Sequence, residues 1–435
     1  MLTPKLGVLK DMYNQLRKYN ALYKADLVEW THEQGMFEAG VYTMQPEVGT
    51  IRLGDHWISG YDEAHFFRTA FTVPAEMAGK ELRIEFFIGG EALVKVNGAF
   101  CGSVSCSKYA PERGTIVLGG TYNEGDVLNI ELEATVNSME FCDEGMDGAK
   151  NTEYTFRTAY VWTPDEACEG YWYDLEVAFQ ALEFIKDEHI KSLVYKAIDD
   201  SLHVVDYDFD EAEVRASIAE ARKLYGEQLG KIPWSATSRV IFTGHSHIDV
   251  AWLWRVQESI RKSARTFSNV VTLMDKYPEM TFGQSQAVLY QMTKDHYPEL
   301  YERIKEKVAK GQWDICGNVW VEADTNVASG EALIRQVLYG TEFFEKEFGK
   351  VSKTYWLPDC FGFTWALPQI INRCGMTNFI TSKLSYNDTN KFPFNMFRWQ
   401  GNDGTQVMAH MMHPGYNGVF SVSELMTSDR ECNNK

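Results

Sequence analysis

The chain is short of positive charge. Among its 435 residues, 42 Lys and Arg stand against 61 Asp and Glu, so the formal net charge is −19. A surplus of acidic groups repels polyanions, which argues against nucleic acid and anionic membrane surfaces as partners. The sequence also has no basic cluster and no phosphate-binding Gly-rich loop that would reverse this expectation.

Long apolar runs are missing as well. No window approaches the roughly 18 apolar residues that a membrane-spanning helix needs. The first residues, Met1–Met12, are too polar for a secretory signal peptide. The sequence therefore predicts a cytoplasmic protein that does not enter a membrane.

Cysteine pairs of the CxxC type are absent too. The eight cysteines are scattered along the chain, and none has a partner at that spacing. In a reducing cytoplasm such residues are free thiols rather than disulfides, and this is the interpretation we favour. They are Cys101, Cys106, Cys142, Cys168, Cys316, Cys360, Cys374 and Cys432.

Four stretches of different character divide the chain. Residues 1–30 predict an N-terminal helix. Residues 31–165 contain short alternating runs punctuated by Gly, Asn and Pro, a pattern typical of a β-sandwich such as a jelly roll. Residues 166–236 have a helical period and predict a helical connector. Residues 237–435 alternate strands with helices, which indicates a parallel α/β sheet or a barrel-like catalytic domain.

The alternation in the last stretch locates individual elements. The predicted strands are Arg239–Thr243, Thr281–Gln286, Gln312–Val321, Lys353–Leu357, Asn378–Ser382 and Gln406–Met411. The predicted helices are Val256–Tyr277, Tyr297–Lys310 and Gly330–Phe348. A closed (β/α) barrel has about eight strands, so we expect this domain to be incomplete at its C-terminus and the chain to be a truncated part of a longer protein.

The segment after the first of these strands carries metal-type side chains. His247 and Asp249 are two positions apart, so on extended backbone both can face one ion. Imidazole and carboxylate together suit Zn²⁺ or a similar divalent cation. A plain hydrogen bond between the two is the simpler alternative, but Trp252 close behind favours the metal site. His245 is either a third ligand or a packing residue, and we favour packing.

A second strand runs into Asp359, which Pro358 and Gly362 flank. A carboxylate held in this way near a metal can act as ligand, base or nucleophile. It can equally cap the N-terminus of a helix predicted over Thr364–Asn372. The residues alone do not decide between the two.

Two further strand ends carry polar side chains. Glu322, Asp324 and Asn326 alternate after one strand, where they bind sugar hydroxyls, tune the site or form a solvated acidic loop. Lys383 follows another strand and either neutralises a carboxylate or is solvated. Each of these alternatives stays open at this point.

Several ordered motifs resemble one known family. Gly244–Trp254 is similar to the metal-binding signature of glycoside hydrolase family 38, the retaining α-mannosidases. Trp356–Gln369 resembles its nucleophile segment. Gly317–Asn326, Ser329–Gln336 and Ser382–Pro393 also match in the same order. Over 31–165, Tyr61–Arg68 and Val94–Gly98 resemble the N-terminal domain of the cytosolic-type and bacterial members.

The resemblance implies a set of roles. His247, Asp249 and Asp359 would bind one Zn²⁺, or Co²⁺, and Asp359 would also be the catalytic nucleophile. Trp252 would stack on the mannose ring, with Glu322, Asp324 and Lys383 as further substrate-binding residues. The substrates would be α-mannosides and oligosaccharides with a terminal, non-reducing α-D-mannosyl residue. Homo-oligomerisation is left open.

Two parts of the family pattern have no match before Lys435. The family's last metal ligand, a histidine, and its acid/base aspartate both lie downstream of the nucleophile segment, and neither can be assigned here. We therefore expect this piece alone to be inactive and the parent enzyme to be active.

Two other functions compete with this interpretation. His245-x-His247 after a first barrel strand resembles the metal pair of amidohydrolases, which would need further histidines such as His296, His410 or His413. Alternatively, the protein is non-catalytic and its sandwich binds carbohydrate. Fold alone cannot establish that function.

Overall fold

The computed structural model describes residues 3–107, 110–136, 152–234, 241–390, 392–412 and 415–433. Its architecture is mixed α/β with several separate sheets. Two compact units divide the chain. The first comprises residues 1–24, 162–240 and 417–435, and the second comprises residues 25–161 and 241–416. These units cut across the four predicted segments, whose domain boundaries remain a prediction.

The first unit is helical. The side chains of Asp165, Asp187 and Asp210 accept hydrogen bonds from backbone N–H groups in the first turn of its three middle helices and so define where each begins. A buried apolar cluster, including Tyr171, Ile198 and Ile218, holds the helices together. The helices are α1 (Thr3–Leu16), α2 (Glu166–Ala181), α3 (Glu188–Leu202), α4 (Glu211–Leu229) and α10 (Val422–Asn433).

The predicted N-terminal helix over residues 1–30 is too long. Helix α1 ends at Leu16, and after a 3-10 turn the chain enters strands β1 (Ala21–Asp26) and β2 (Glu29–Glu38). Trp30 is buried in the apolar core between sheets. Pairing and burial of this segment outweigh its local helical tendency.

Two sheets contain most of the strands in residues 25–161, and all neighbours in the larger sheet are antiparallel. The larger has the order β3-β2-β5-β11-β7-β8-β9 and the smaller β1-β13-β6-β10, while β12 pairs with β4. One apolar cluster draws side chains from both sheets, such as Phe86 and Ile130. The strands are β3 (Val41–Arg52), β4 (His56–Ser59), β5 (Glu63–Thr72), β6 (Arg83–Phe87), β7 (Gly90–Val96), β8 (Ala99–Ser107), β9 (Ala110–Arg113), β10 (Thr115–Val117), β11 (Val127–Thr135), β12 (Thr152–Thr155) and β13 (Thr158–Pro164).

Strands and helices alternate over 241–416, as predicted. The strands form two sheets, β14-β15-β16 and β17-β18-β20-β19, and they do not close into a barrel within the described ranges. All neighbours are parallel except β19 and β20. The elements are β14 (Gly244–His245), α5 (Val256–Lys276), β15 (Phe282–Gln284), α6 (Ala287–His296), α7 (Pro298–Ala309), β16 (Trp313–Ile315), α8 (Gly330–Phe348), β17 (Thr354–Trp356), α9 (Leu367–Arg373), β18 (Asn378–Thr381), β19 (Met396–Gln400) and β20 (Gln406–Met411).

Two predicted strands differ from the observed strands by more than two residues at one end. Residues 239–240 lie outside the described part, and 241–243 are not strand, because Ile241 is 78% exposed and reaches no core. Pairing begins at Gly244 instead, opposite Phe282. The strand predicted over Gln312–Val321 ends at Ile315, and Gly317 follows with a left-handed φ of 69° that breaks the extended backbone.

Among the described cysteines, Cys101, Cys168, Cys316, Cys360 and Cys374 are free, in agreement with the predicted thiols. Cys142 and the side chain of Cys432 lie outside the described residues.

Candidate metal and catalytic centre

The strands of residues 241–416 deliver the predicted site residues from their carboxyl ends. His247 and Asp249 follow β14, Glu322 follows β16, Asp359 follows β17 and Lys383 follows β18. Carboxyl ends of parallel strands share one edge of a sheet, and loops there are free to carry polar groups. The two sheets thus contribute to a single cluster of side chains.

Three of these side chains are spaced to hold one cation. Ligand atoms of His247, Asp249 and Asp359 all lie within 4.8 Å of one another. His247 Nε2 is 3.2 Å from Asp249 Oδ1 and 3.5 Å from Asp359 Oδ2. One imidazole nitrogen with two carboxylates is a donor set that suits Zn²⁺ or a similar divalent ion.

The charge balance points the same way. Three carboxylates, from Asp249, Glu322 and Asp359, lie within ion-pair distance of His247. Lys383 supplies one fixed positive charge beside them. Burial disfavours the imidazolium, but the Asp249 and Glu322 carboxylates outweigh it and raise the pKa of His247 to about 10. The cluster therefore favours positive charge at the position where a metal ion would sit.

Glu322 lies on the other side of the His247 ring. Its Oε2 is 3.3 Å from His247 Nδ1, and its side chain is only 6% exposed. Ser285 donates a 2.7 Å hydrogen bond to the other oxygen, Oε1. A buried carboxylate on the second nitrogen of a ligating histidine fixes which nitrogen faces the metal. The substrate-contacting role expected of Glu322 from the sequence stays a prediction.

Asp359 is held by a lysine and a tyrosine. Lys383 Nζ lies 2.7 Å from Asp359 Oδ1, and the lysine side chain is 4% exposed. Tyr416 donates its hydroxyl proton to Asp359 Oδ2 at 3.0 Å. Burial and the adjacent Asp359 raise the pKa of Tyr416, so the phenol stays a donor. Lys383 thus neutralises a carboxylate, one of the two alternatives that the sequence left open.

The helix-capping alternative for Asp359 does not hold. Helix α9 begins at Leu367 with Ala366 as its N-cap, and no side chain caps it. Seven residues of loop separate Asp359 from that helix, which frees its carboxylate for the cluster.

His245 is a packing residue here. Its ring lies 4.9 Å from that of Trp356, and its Nε2 is 3.4 Å from the Ser285 hydroxyl. Burial, with His247 beside it, lowers the pKa of His245 to about 3. Within the described part of the chain, the one cluster of metal-type ligands does not include it, nor His296 or His410. The amidohydrolase alternative therefore loses its ligand pair, and His413 lies outside the described residues.

The remaining predicted residues lie on loops. Trp252 is 52% exposed, with the Trp254 ring 5.8 Å away, so its face is available to a ligand. Asp324 is exposed and accepts hydrogen bonds from the backbone N–H groups of Asn326 and Val327. The solvated-loop alternative accounts for these contacts of Asp324, and its substrate role stays a prediction.

Tyr416 and Ser285 were missed in the sequence. Tyr416 lies 57 residues beyond Asp359 in a loop without periodicity, and Ser285 is one serine at the end of β15. Only the strand-end position of Ser285 could have suggested a site residue.

Comparison with known proteins identifies the domain. Residues 237–434 match the family model described as Glycosyl hydrolases family 38 N-terminal domain. Residues 237–434 are therefore similar to the N-terminal domain of that hydrolase family, which confirms the resemblance noted in the sequence.

Three relatives show how far the similarity extends. "Alpha-mannosidase G" of Dictyostelium discoideum is 36% identical over 90% of this chain and 36% of its own length. "Alpha-mannosidase 2C1" of Homo sapiens is 34% identical over 83% of this chain and 35% of its own length. "Alpha-mannosidase" of Saccharomyces cerevisiae is 40% identical over 45% of this chain and 18% of its own length. The chain thus spans about a third of the first two relatives.

Among the described residues, no helix has both the length and the apolar character needed to cross a bilayer.

Proposed function

We propose that this chain supplies the metal site and the nucleophile of a retaining α-mannosidase. The observation that carries the proposal is the convergence of His247, Asp249 and Asp359 within 4.8 Å, inside a family 38 domain. The named relatives are α-mannosidases, which points to α-mannosides and oligosaccharides with terminal, non-reducing α-D-mannosyl residues as substrates.

The reaction assigned to these residues has two steps. The Asp359 carboxylate attacks the anomeric carbon, the glycosidic bond breaks, and a mannosyl ester forms. Water then hydrolyses the ester with overall retention of configuration. Retaining enzymes need a second carboxyl group about 5–5.5 Å away as acid and base, and we assign that role to no residue of this chain.

The side chains around Asp359 suit a nucleophile. The Lys383 ammonium group pairs with Asp359 Oδ1, and the Tyr416 hydroxyl donates a hydrogen bond to Oδ2, so the two contacts orient the carboxylate. Zn²⁺ or Co²⁺ at His247, Asp249 and Asp359 would supply a Lewis acid for the sugar hydroxyls. Trp252, half exposed on the loop after Asp249, would stack on the sugar ring.

The proposal extends to architecture and location. We assign residues 31–165 to a β-sandwich, 166–236 to a helical connector and 237–435 to a barrel-like catalytic domain. We also propose a cytoplasmic location, which suits the free thiols of Cys101, Cys168, Cys316, Cys360 and Cys374.

The test is hydrolysis of an aryl α-D-mannoside by the full-length protein before and after chelation. We expect activity to vanish with the chelator and to return with Zn²⁺ or Co²⁺. A folded, metal-loaded protein that hydrolyses no α-mannoside would refute the proposed function.

A further inference from the structure

The turn between β4 and β5 contains a buried acidic residue outside the metal cluster. The side chain of Asp62 is only 5% exposed. One carboxylate oxygen accepts a hydrogen bond from Arg255 Nη1, and the other accepts one from Gln257 Nε2. Both donors flank the start of α5, directly after the loop that carries Asp249 and Trp252. Asp62 thus links residues 25–161 to that loop.

The backbone at Asp62 takes an unusual conformation. Its φ is 60°, in the left-handed region, where the Cβ of a residue other than glycine is crowded by the backbone. Its carbonyl accepts a 2.6 Å hydrogen bond from the backbone N–H of Phe37, which holds the turn. Glycine would adopt this φ without strain but would lack the carboxylate that engages Arg255 and Gln257.

Neighbouring contacts strengthen the same link. Gln257 also donates to the Phe37 carbonyl at 3.0 Å and accepts from the backbone N–H of Ala39 at 3.1 Å. Arg255 lies over the ring of Tyr61, 6.0 Å from its centroid. The side chains of Arg255 and Gln257 therefore hold the start of α5 against residues 25–161.

Residues of the α/β region, 241–416, also hold the loop that carries Asp249 and Trp252. The Ser259 hydroxyl contacts the carbonyls of Val250 and Asp249, and Gln286 donates to the Ile248 carbonyl at 2.8 Å. The segment from Ile248 to Gln257 therefore has anchors at both of its ends. Asp62 forms the anchor at the C-terminal end, through Arg255 and Gln257.

We propose that Asp62 is a positioning residue of the metal site. Its contacts with Arg255 and Gln257 fix the loop that follows β14. Asp249 and Trp252 lie on this loop, so the sheets of residues 25–161 set the geometry of the catalytic centre. This inference rests on the proposed function only where its test measures mannosidase activity. A loop displacement near 1 Å costs on the order of 100-fold in rate, so the effect is large enough to measure.

The test uses Asp62→Gly in the full-length protein, with Asp55→Ala as matched control. Asp62→Gly removes the carboxylate and relieves the backbone strain. Asp55 caps the neighbouring turn through the backbone N–H of Arg52 at 2.8 Å and touches neither Arg255 nor Gln257. Zn²⁺ affinity, by competition with a chromogenic chelator, and the KM and kcat for an aryl α-mannoside are measured alongside the unfolding midpoint.

We expect Asp62→Gly to weaken Zn²⁺ binding and to lower kcat/KM by about 10- to 100-fold, with an unfolding midpoint no lower than that of Asp55→Ala. Asp62→Asn, which keeps one carbonyl acceptor, should recover part of both values. Zn²⁺ affinity equal to wild type in Asp62→Gly would overturn the inference. If that variant does not fold, wild-type affinity in Asp62→Asn would overturn it instead. Wild-type protein without mannosidase activity would refute the proposed function and leave the Zn²⁺ comparison valid.

Discussion

At the scale of single residues, the site depends on how each carboxylate is oriented. Asp359 has a lysine on one oxygen and a tyrosine on the other, while Glu322 lies behind His247. In the proposed function, these contacts distinguish a carboxylate that would react, Asp359, from one that would support a metal ligand, Glu322. Residue type alone could not make this distinction, because both are acidic residues at strand ends.

Replacing Asp359 by Asn tests the nucleophile. The amide keeps the shape of the side chain but cannot form the mannosyl ester, and it weakens one metal ligand. We expect kcat to fall by several orders of magnitude while the fold is preserved. Turnover of an aryl α-mannoside and circular dichroism measure the two quantities. A variant that retains substantial turnover would remove Asp359 from this role.

Replacing Glu322 tests whether its carboxylate orients the His247 ring. Loss of such a supporting carboxylate typically weakens metal binding by about 10- to 100-fold, so we expect a loss in this range for Glu322→Ala and a smaller one for Glu322→Gln. Competition with a chelator gives the affinities. Asp314→Asn, an exposed change on β16, is the control. Equal affinities in all three variants would instead favour the substrate-binding role first assigned to Glu322.

At the scale of elements, helix α5 joins the loop of the metal ligands to the rest of the unit. Its Ser259 is fully buried and accepts a 3.1 Å hydrogen bond from Trp254 Nε1 while contacting two loop carbonyls. Most helices and strands of this region were predictable because apolar periodicity and helix caps are local signals. Helix α8 has the predicted bounds, from Gly330 to Phe348.

Replacing Ser259 by Ala tests whether the hydrogen bonds between α5 and that loop stabilise the fold. The change leaves the Trp254 N–H without its acceptor in a buried place, so we expect a loss of about 1–3 kcal/mol in the free energy of unfolding. Ser263→Ala is the control, because its buried hydroxyl only bonds back to the Ser259 carbonyl within the helix. Denaturant titration measures both. Equal losses would show that the loop contacts of Ser259 add nothing.

The elements that were mispredicted depend on distant partners. The first strand of the α/β region begins at Gly244 because Phe282 pairs there, and the N-terminal helix stops at Leu16 because residues from Ala21 join a sheet. Pairing across such sequence separations is invisible to a local pattern. The same reason hid Tyr416, whose contact with Asp359 spans 57 residues.

At the scale of the whole molecule, the excess of acidic charge is reflected locally in the site. The net charge is −19, and the cluster itself collects three carboxylates around one histidine. A cation that binds only the folded state relieves this repulsion and stabilises the fold. Ligand at 100 times its dissociation constant contributes about 2.7 kcal/mol.

Metal removal therefore has a predicted effect on stability. We expect the unfolding midpoint of the wild-type protein to fall after chelation and to recover with Zn²⁺. His247→Ala removes one ligand, so its midpoint should not respond to either treatment. Differential scanning calorimetry measures the midpoints. If neither the chelator nor Zn²⁺ changes the unfolding midpoint of the wild-type protein, that result would argue against a metal at this cluster.

The central claim is that Asp359 forms a covalent bond to mannose at this centre. The most direct measurement is mass spectrometry of the full-length protein after reaction with a fluorinated α-mannosyl fluoride that turns over slowly. Fluoride leaves from this reagent as the ester forms. We predict a single sugar-sized mass increase on the peptide that contains Asp359. A label on another carboxylate, or no label on protein that turns over α-mannosides, would contradict the account.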